Sequence, residues 1–329
     1  MKRFLTGIQP TNFGKIHLGN YLGAVKLWKD LNNFEAIIMI ADLHAMTTTK
    51  NIYLNSIKMT KQLMACGLNS NNCIIFLQSQ VPAHTQLYWV LNNYCPLGDL
   101  ERMTQFKDKS ETNTASSGLL TYPLLQSADI LLYNPHYVPI GEDQVQHLEL
   151  TRVLARKLNR DFKKEKSTFH LNVPKNIISS SSKISSLRMP TKKMSKSDPV
   201  EASTINITDS NEEIINKITK AKTDSICTLD NLENRPGMHN LIQILAGCKS
   251  QSINQLIKDL KALEGPHLHK HVKSQVIETI IKTFEPIKAS FELLTNEKVE
   301  DFLNKGSIAA NSIANTNMNA IYKALKLWK

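Results

Sequence analysis

Arg3-Phe4-Leu5-Thr6-Gly7-Ile8-Gln9-Pro10-Thr11, followed two residues later by Gly14-Lys15-Ile16-His17-Leu18-Gly19-Asn20, is the stretch on which the fold turns. Residues 3–6 open with a short apolar run that has the look of a strand buried on both faces. A turn containing glycine and proline then feeds straight into a helical pattern. Two further apolar runs, Ala36–Ala41 and Cys73–Leu77, repeat the theme. They are separated by helical patterns such as Tyr53–Cys66 and Gln86–Asn93. A later helical pattern covers Gln144–Leu158, with Leu150, Val153, Leu154 and Leu158 at three-to-four spacing. Strands alternating with crossover helices predict an α/β fold, a Rossmann-like, doubly wound parallel sheet. The start of a helix offers unpaired backbone N–H groups and a positive dipole end, so the turn suits a phosphate. There Gly19 allows close approach of a nucleotide, while His17 and Asn20 supply neutral donors. The same residues also serve as a plain strand-to-helix turn, and this segment alone does not separate the two readings.

The character of the chain changes along its length. Around Ser179–Ser186 the pattern turns serine-rich and aperiodic, which marks a loop before the lysine cluster Lys192–Lys196. Beyond Pro199, Ser210 with Glu213 and Ser252 with Gln255 have the spacing of capping boxes. Amphipathic stripes follow: Ile214, Ile215 and Ile218, then Leu256, Ile257 and Leu260, then Val272, Val276, Ile280 and Phe284 up to Pro286, and finally Ile313 to Leu325. The expected organisation is a Rossmann-type catalytic domain over residues 1–199, ending in the lysine loop, and an all-helical domain over 200–329.

Charge points to polyanionic partners. The net charge is +11, with 24 basic and 14 acidic residues in 1–199 against 16 and 15 in 200–329. Between Arg152 and Lys196, 13 basic residues meet only Asp161 and Glu165, an imbalance that suits nucleic-acid backbone as well as a solvated lysine-rich surface. Five scattered cysteines with no Cys-x-x-Cys pair predict reduced thiols and no zinc or iron–sulfur site. No apolar run approaches a membrane span, so a soluble cytoplasmic protein is expected.

Lys193-Met194-Ser195-Lys196-Ser197 places two ammonium groups three residues apart with hydroxyls between them, suited to wrapping a polyphosphate. Read alone it is a basic loop. Together with the first turn it resembles a known pair of signatures: His17-Leu18-Gly19-Asn20 is similar to the HIGH signature of class I aminoacyl-tRNA synthetases, and Lys193–Ser197 matches their KMSKS signature letter for letter. Further segments resemble the bacterial and mitochondrial tryptophanyl-tRNA synthetases. These are Asp42-Leu43-His44-Ala45, Glu101–Lys109, Tyr122–Tyr133 and Val138–Gln144.

That resemblance implies activation of L-tryptophan by ATP to an adenylate and its transfer to tRNA(Trp), with Mg²⁺ carried by the nucleotide and the chain working as a homodimer. It implies that Gln9, Pro10, Thr11, Gly19 and Asn20 hold ATP, that Gly141, Glu142 and Asp143 meet the ribose, and that Ile184 lies against adenine. It gives Lys109, Lys193 and Lys196, with Met194, Ser195 and Ser197 of the same loop, to the phosphates, and implies that catalysis rests on Lys109, Lys193, Lys196 and Asn20. Asp129 resembles the carboxylate that accepts the indole N–H, with Tyr122, Gln126 and Gln144 around the amino acid. An indole has one donor and no acceptor, so a buried carboxylate is a directional partner for it. Gln126 stands where many bacterial relatives carry a methionine, and mitochondrial-type relatives also have glutamine there; Leu5 stands where some bacterial relatives carry a phenylalanine. Two alternatives remain at this point: a tyrosyl-tRNA synthetase, since a phenol O–H also suits Asp129, and a non-catalytic synthetase-like RNA-binding protein.

Overall fold

The computed structural model describes residues 1–30, 34–69, 71, 73–110, 116–141, 144–177, 184–195, 198 and 200–327. Five strands, β1 (Lys2–Ile8), β2 (Phe34–Ile40), β3 (Cys73–Leu77), β4 (Tyr137–Pro139) and β5 (Lys175–Ile177), lie in the order β3-β2-β1-β4-β5. Every pairing is parallel. The helix opening at α1 (Leu18–Asn20) passes through a wider turn, Tyr21–Val25, into α2 (Lys26–Asp30). Next come α3 (Asp42–Ala45), α4 (Ile52–Ala65), α5 (Ala83–Asn92), α6 (Leu97–Glu101), α7 (Thr104–Ser110), α8 (Ser117–Leu132) and α9 (Val145–Lys164). After the lysine loop the chain forms α10 (Asn211–Thr219), α11 (Pro236–Lys249), α12 (Ile253–Leu260), α13 (Leu268–Leu293) and α14 (Asn296–Ala324).

The apolar strands form because both faces of the sheet are covered, and the period of two divides their side chains between two cores. Phe4, Ala36, Ile38, Ile40, Cys73 and Ile75 join α4 and α10–α13. Leu5, Ile37, Met39 and Phe76 join α5, α8, α9 and the inner face of α14. β4 and β5 are three residues each and carry Pro139, Lys175 and Asn176, so no apolar run announces them. They are built by their neighbours: His136 N donates to Arg3 O at 2.9 Å, and Lys175 N donates to His136 O at 2.9 Å.

Two helices run further than their patterns suggest. The stripe ending at Pro286 continues as helix to Leu293, because Phe284 and Ile287 on either side of the proline are both buried and hold the turn that lacks one N–H bond. α14 returns from the helical half to the sheet and covers the edge strand β3, which would otherwise present unpaired backbone. A Cβ at Gly306 would stand 1.7 Å from Ile75 O, so only glycine permits this approach. Asn311 and Asn317 then donate to the carbonyls of Gln80 at 2.9 Å and Leu132 at 2.8 Å. Ser210 and Glu213 form the full capping box; Ser252 caps Gln255 N through its side chain.

Candidate active site

The turn after β1 takes an unusual path: Asn12, Phe13 and Gly14 all have positive φ, at 51°, 54° and 69°. Gly14 is required there twice over, since a Cβ would also meet Asn55 O at 2.3 Å. Buried Gln62 ties the turn to α4, donating to Gly14 O at 2.6 Å and accepting from Ile16 N at 3.0 Å. His17 then opens the helix, its Nδ1 accepting from Asn20 N at 3.1 Å, which leaves the ring proton on Nε2.

This turn is stitched to the segment that follows the lysine loop. Leu18 N donates to Ile205 O at 2.7 Å and Ile207 N to Ile16 O at 3.0 Å, with His17 opposite Asn206. The far side of that segment is anchored in the helical half, where Asp209 accepts from Asn206 N at 2.9 Å and forms a buried ion pair with Lys217 at 2.6 Å. Gly19 lies beside Ile184: a Cβ on it would be 3.6 Å from Ile184 Cβ and 3.1 Å from the His17 ring. Ile184 and Met194 are buried and Lys193 is exposed. The two phosphate-type segments, some 175 residues apart in sequence, therefore share one wall. Met194 points into the core and anchors the loop. Asn20 Oδ1 is enclosed with no partner among the described residues. Gln9 is exposed, Pro10 buried, and Thr11 and Ser195 half-buried; Gly141 is exposed between β4 and α9. Lys109 belongs to α7, whereas Glu142, Asp143, Lys196 and Ser197 lie outside the described residues.

The second half of the site centres on Asp129, on α8 and 2% exposed. Its Oδ1 accepts from Gln78 Nε2 at 2.8 Å and His84 Nδ1 at 2.6 Å, and its Oδ2 from His44 Nε2 at 2.8 Å. Burial alone would raise this carboxyl; hydrogen bonds from His44 and His84, and their positive charge, outweigh it and hold it at about 2. A carboxylate offers about four acceptor positions. Among the described residues three are filled, two on Oδ1 and one on Oδ2. Tyr122 stands edge-on to His44, ring centroids 6.3 Å apart. Its hydroxyl lies 2.7 Å from Gln105 Oε1 and 2.9 Å from His147 Nε2. Gln144 Oε1 accepts from Gln126 Nε2 at 3.1 Å and lies 3.0 Å from His147 Nδ1. Asp129, Tyr122, Gln126 and Gln144 thus belong to one polar constellation, while Leu5 sits inside the sheet core.

Sequence reasoning missed the second ring of this constellation: Gln78, His84, Gln105 and His147. His44 and Gln78 sit just past the carboxyl ends of adjacent strands β2 and β3, where ligands of open α/β sheets bind. That position was the available signal. Asp42 joins the same two strand ends, accepting from Ser79 N at 2.9 Å.

Of the basic residues on α9, Arg152 donates to Pro174 O at 2.8 Å, Lys157 to Tyr94 O at 3.0 Å, and Lys164 pairs with Asp161 at 3.1 Å. Arg156, Arg160 and Lys163 are exposed along one side of the helix. All five cysteines are free thiols, and burial pushes Cys66 and Cys73 up to about 12. Among the described residues, no group of three or more His, Cys, Asp or Glu side chains converges on a metal-sized site. Nor is any helix there long and apolar enough to cross a membrane.

A family model described as class I tRNA synthetases (W and Y) matches residues 1–285. The chain belongs to this family. Within it, this synthetase is 40% identical over 335 residues to a tryptophan–tRNA ligase of Prochlorococcus marinus, covering 98% of this chain and 97% of that protein. Its fold is similar to that of a tryptophanyl-tRNA synthetase from Mycoplasma pneumoniae, with TM-score 0.85, 34% identity, and 100% and 98% of the two chains covered. It is also similar to the Campylobacter jejuni tryptophanyl-tRNA synthetase solved with ADP and tryptophan, with TM-score 0.80, 30% identity and 98% of each chain covered.

Proposed function

We propose that this class I synthetase is an ATP-dependent tryptophan–tRNA ligase. The observation that carries the reading is the buried Asp129 carboxylate, whose Oδ1 accepts from two donors and whose Oδ2 accepts from His44, with Tyr122 edge-on to that His44 ring. That geometry fits the single N–H of an indole. An amino acid without a donor would leave the carboxylate short of that partner, at a cost of about 1–3 kcal/mol. The Campylobacter relative, solved with tryptophan and ADP, supports the same pairing of substrates.

In this reading the tryptophan carboxylate attacks the α-phosphorus of ATP in line, releasing pyrophosphate, and the adenylate ester is then transferred to the terminal ribose of the tRNA. No side-chain nucleophile is needed; the work is positioning and charge stabilisation. Gly19 lets the nucleotide approach the backbone, Asn20 turns its enclosed amide toward it, Ile184 flanks the adenine, and Lys109, Lys193 and Lys196 balance the phosphate charge. Mg²⁺ carried by the triphosphate would supply further neutralisation of the phosphate charge. Arg156, Arg160 and Lys163 meet tRNA backbone, and the helical part, residues 200–329, reads the anticodon. A homodimer in the cytoplasm completes the proposal.

The test is amino-acid-dependent exchange of pyrophosphate into ATP, run across the twenty amino acids. Response to tryptophan alone supports the reading. Response to tyrosine transfers Asp129 to a phenol O–H, and response to none removes catalysis altogether.

A further inference from the structure

The lysine loop begins in the second arm of a short hairpin stem, Ile184–Ser186 against Lys192–Met194. In paired extended backbone, successive residues turn their N–H and C=O groups to opposite sides. Ser186 N donates to Lys192 O at 2.8 Å and Met194 N donates to Ile184 O at 3.0 Å, with Ser185 opposite Lys193. Ser185 therefore turns its own peptide groups away from the stem. There they meet the side chain of Asn240 on α11: Ser185 N donates to Asn240 Oδ1 at 2.7 Å, and Asn240 Nδ2 donates to Ser185 O at 2.9 Å. One carboxamide thus plays the part of a third strand. Asn240 is 3% exposed, so water does not compete for either bond.

The other end of α11 reaches the helix that begins at the first turn. Lys26 Nζ donates to Gly247 O at 2.7 Å and to Ser250 Oγ at 2.6 Å. Gly247 faces Leu22 so closely that a Cβ would stand 3.1 Å from its Cδ1. Seven residues separate Asn240 from Gly247, about 10 Å along the axis. A single rigid helix therefore holds both nucleotide segments, the stem with Ile184 and Lys193 at one end and the α1–α2 helix at the other.

We infer that Asn240 is a positioning residue for ATP: through Ser185 it sets the loop stem against Gly19, and α11 makes the spacing of the two nucleotide segments depend on the helical part of the chain. The inference rests on the ligase reading above. It is tested in the full chain by pyrophosphate exchange with Asn240→Ala and the isosteric Asn240→Asp, which keeps the acceptor for Ser185 N and loses the donor. Both variants are expected to raise KM for ATP about tenfold or more and to lower kcat, with KM for tryptophan within twofold of the parent. A merely structural role moves both KM values together, and that parallel shift, or an unchanged KM for ATP, overturns the inference. If neither variant accumulates as folded protein, Lys26→Met at the opposite end of α11 decides it: a selective rise in KM for ATP supports the strut, and no selective rise overturns it. An unsubstituted chain that responds to no amino acid is a separate result, against the ligase reading itself.

Discussion

The two halves of the site differ in how much of their hydrogen bonding is already complete. Around Asp129, Gln78, His84 and His44 already supply three donors among the described residues. At the half proposed for the nucleotide Asn20 Oδ1 is enclosed without a partner among the described residues, and Lys193 stands exposed. The half proposed for the amino acid lies within one core, assembled from the ends of neighbouring strands and α8. The half proposed for the nucleotide is assembled from segments far apart in sequence that meet along one wall. A preorganised pocket discriminates by rejecting whatever cannot supply the last donor. A half with unfilled ligands gains its interactions only when the charged substrate arrives, which is how binding becomes catalysis.

Substitutions in the two halves should therefore separate stability from activity in opposite ways. The largest expected effect is Lys196→Ala, which should slow adenylate formation by about a thousandfold, roughly 4 kcal/mol of barrier. Tryptophan binding and unfolding midpoint should stay unchanged; a parallel loss of tryptophan affinity in equilibrium dialysis would break the comparison. Next, Asp129→Ala strands three buried donors and should cost about 3 kcal/mol in urea unfolding, with KM for tryptophan up by roughly ten- to a hundredfold. Asn20→Ala should lower the exchange rate by about a hundredfold, roughly 2.7 kcal/mol, yet leave the unfolding midpoint level or slightly raised, because the folded protein loses an acceptor it had not paired. A clear drop in stability would show that Asn20 has a structural role.

The smallest effect is a pH dependence. Asp129 is held at about 2, below the ordinary 3.8, so the carboxylate is favoured by folding. Its contribution, about 2 kcal/mol, is fully present above about pH 4 and is lost as pH falls through 2. The stability gap between the parent and Asp129→Asn, followed by urea unfolding from pH 6 down to 3, should narrow on the acid side. A gap that stays constant would mean that His44 and His84 do not hold the carboxyl down.

Parts of this architecture are legible residue by residue. β1, β2 and β3 are visible as apolar runs, and Ser210 with Glu213 announces α10. Gly19, Asn20 and the lysine loop are visible as ligand types in a suitable local context. β4 and β5 are not, because three residues containing Pro139 or Lys175 carry no pattern, and their strand character comes from the backbone groups of Arg3 and His136 beside them. The continuation of α13 through Pro286 is likewise a product of packing, since local propensity argues for a stop.

By itself the sequence determined where strands and helices alternate and which turn and lysine loop could meet a phosphate; Asp129 entered only through the family resemblance. The alternation and the phosphate ligands follow from periodicity and from chemistry within a few residues. Only the tertiary structure decided that His84 and His44, 45 and 85 positions away, hold Asp129, that Ile205–Ile207 stitches the first turn to the region after the lysine loop, and that Asn240 grips its stem. Hydrogen-bond partners of buried groups are chosen by packing across arbitrary separations in the chain, and no local pattern encodes that choice.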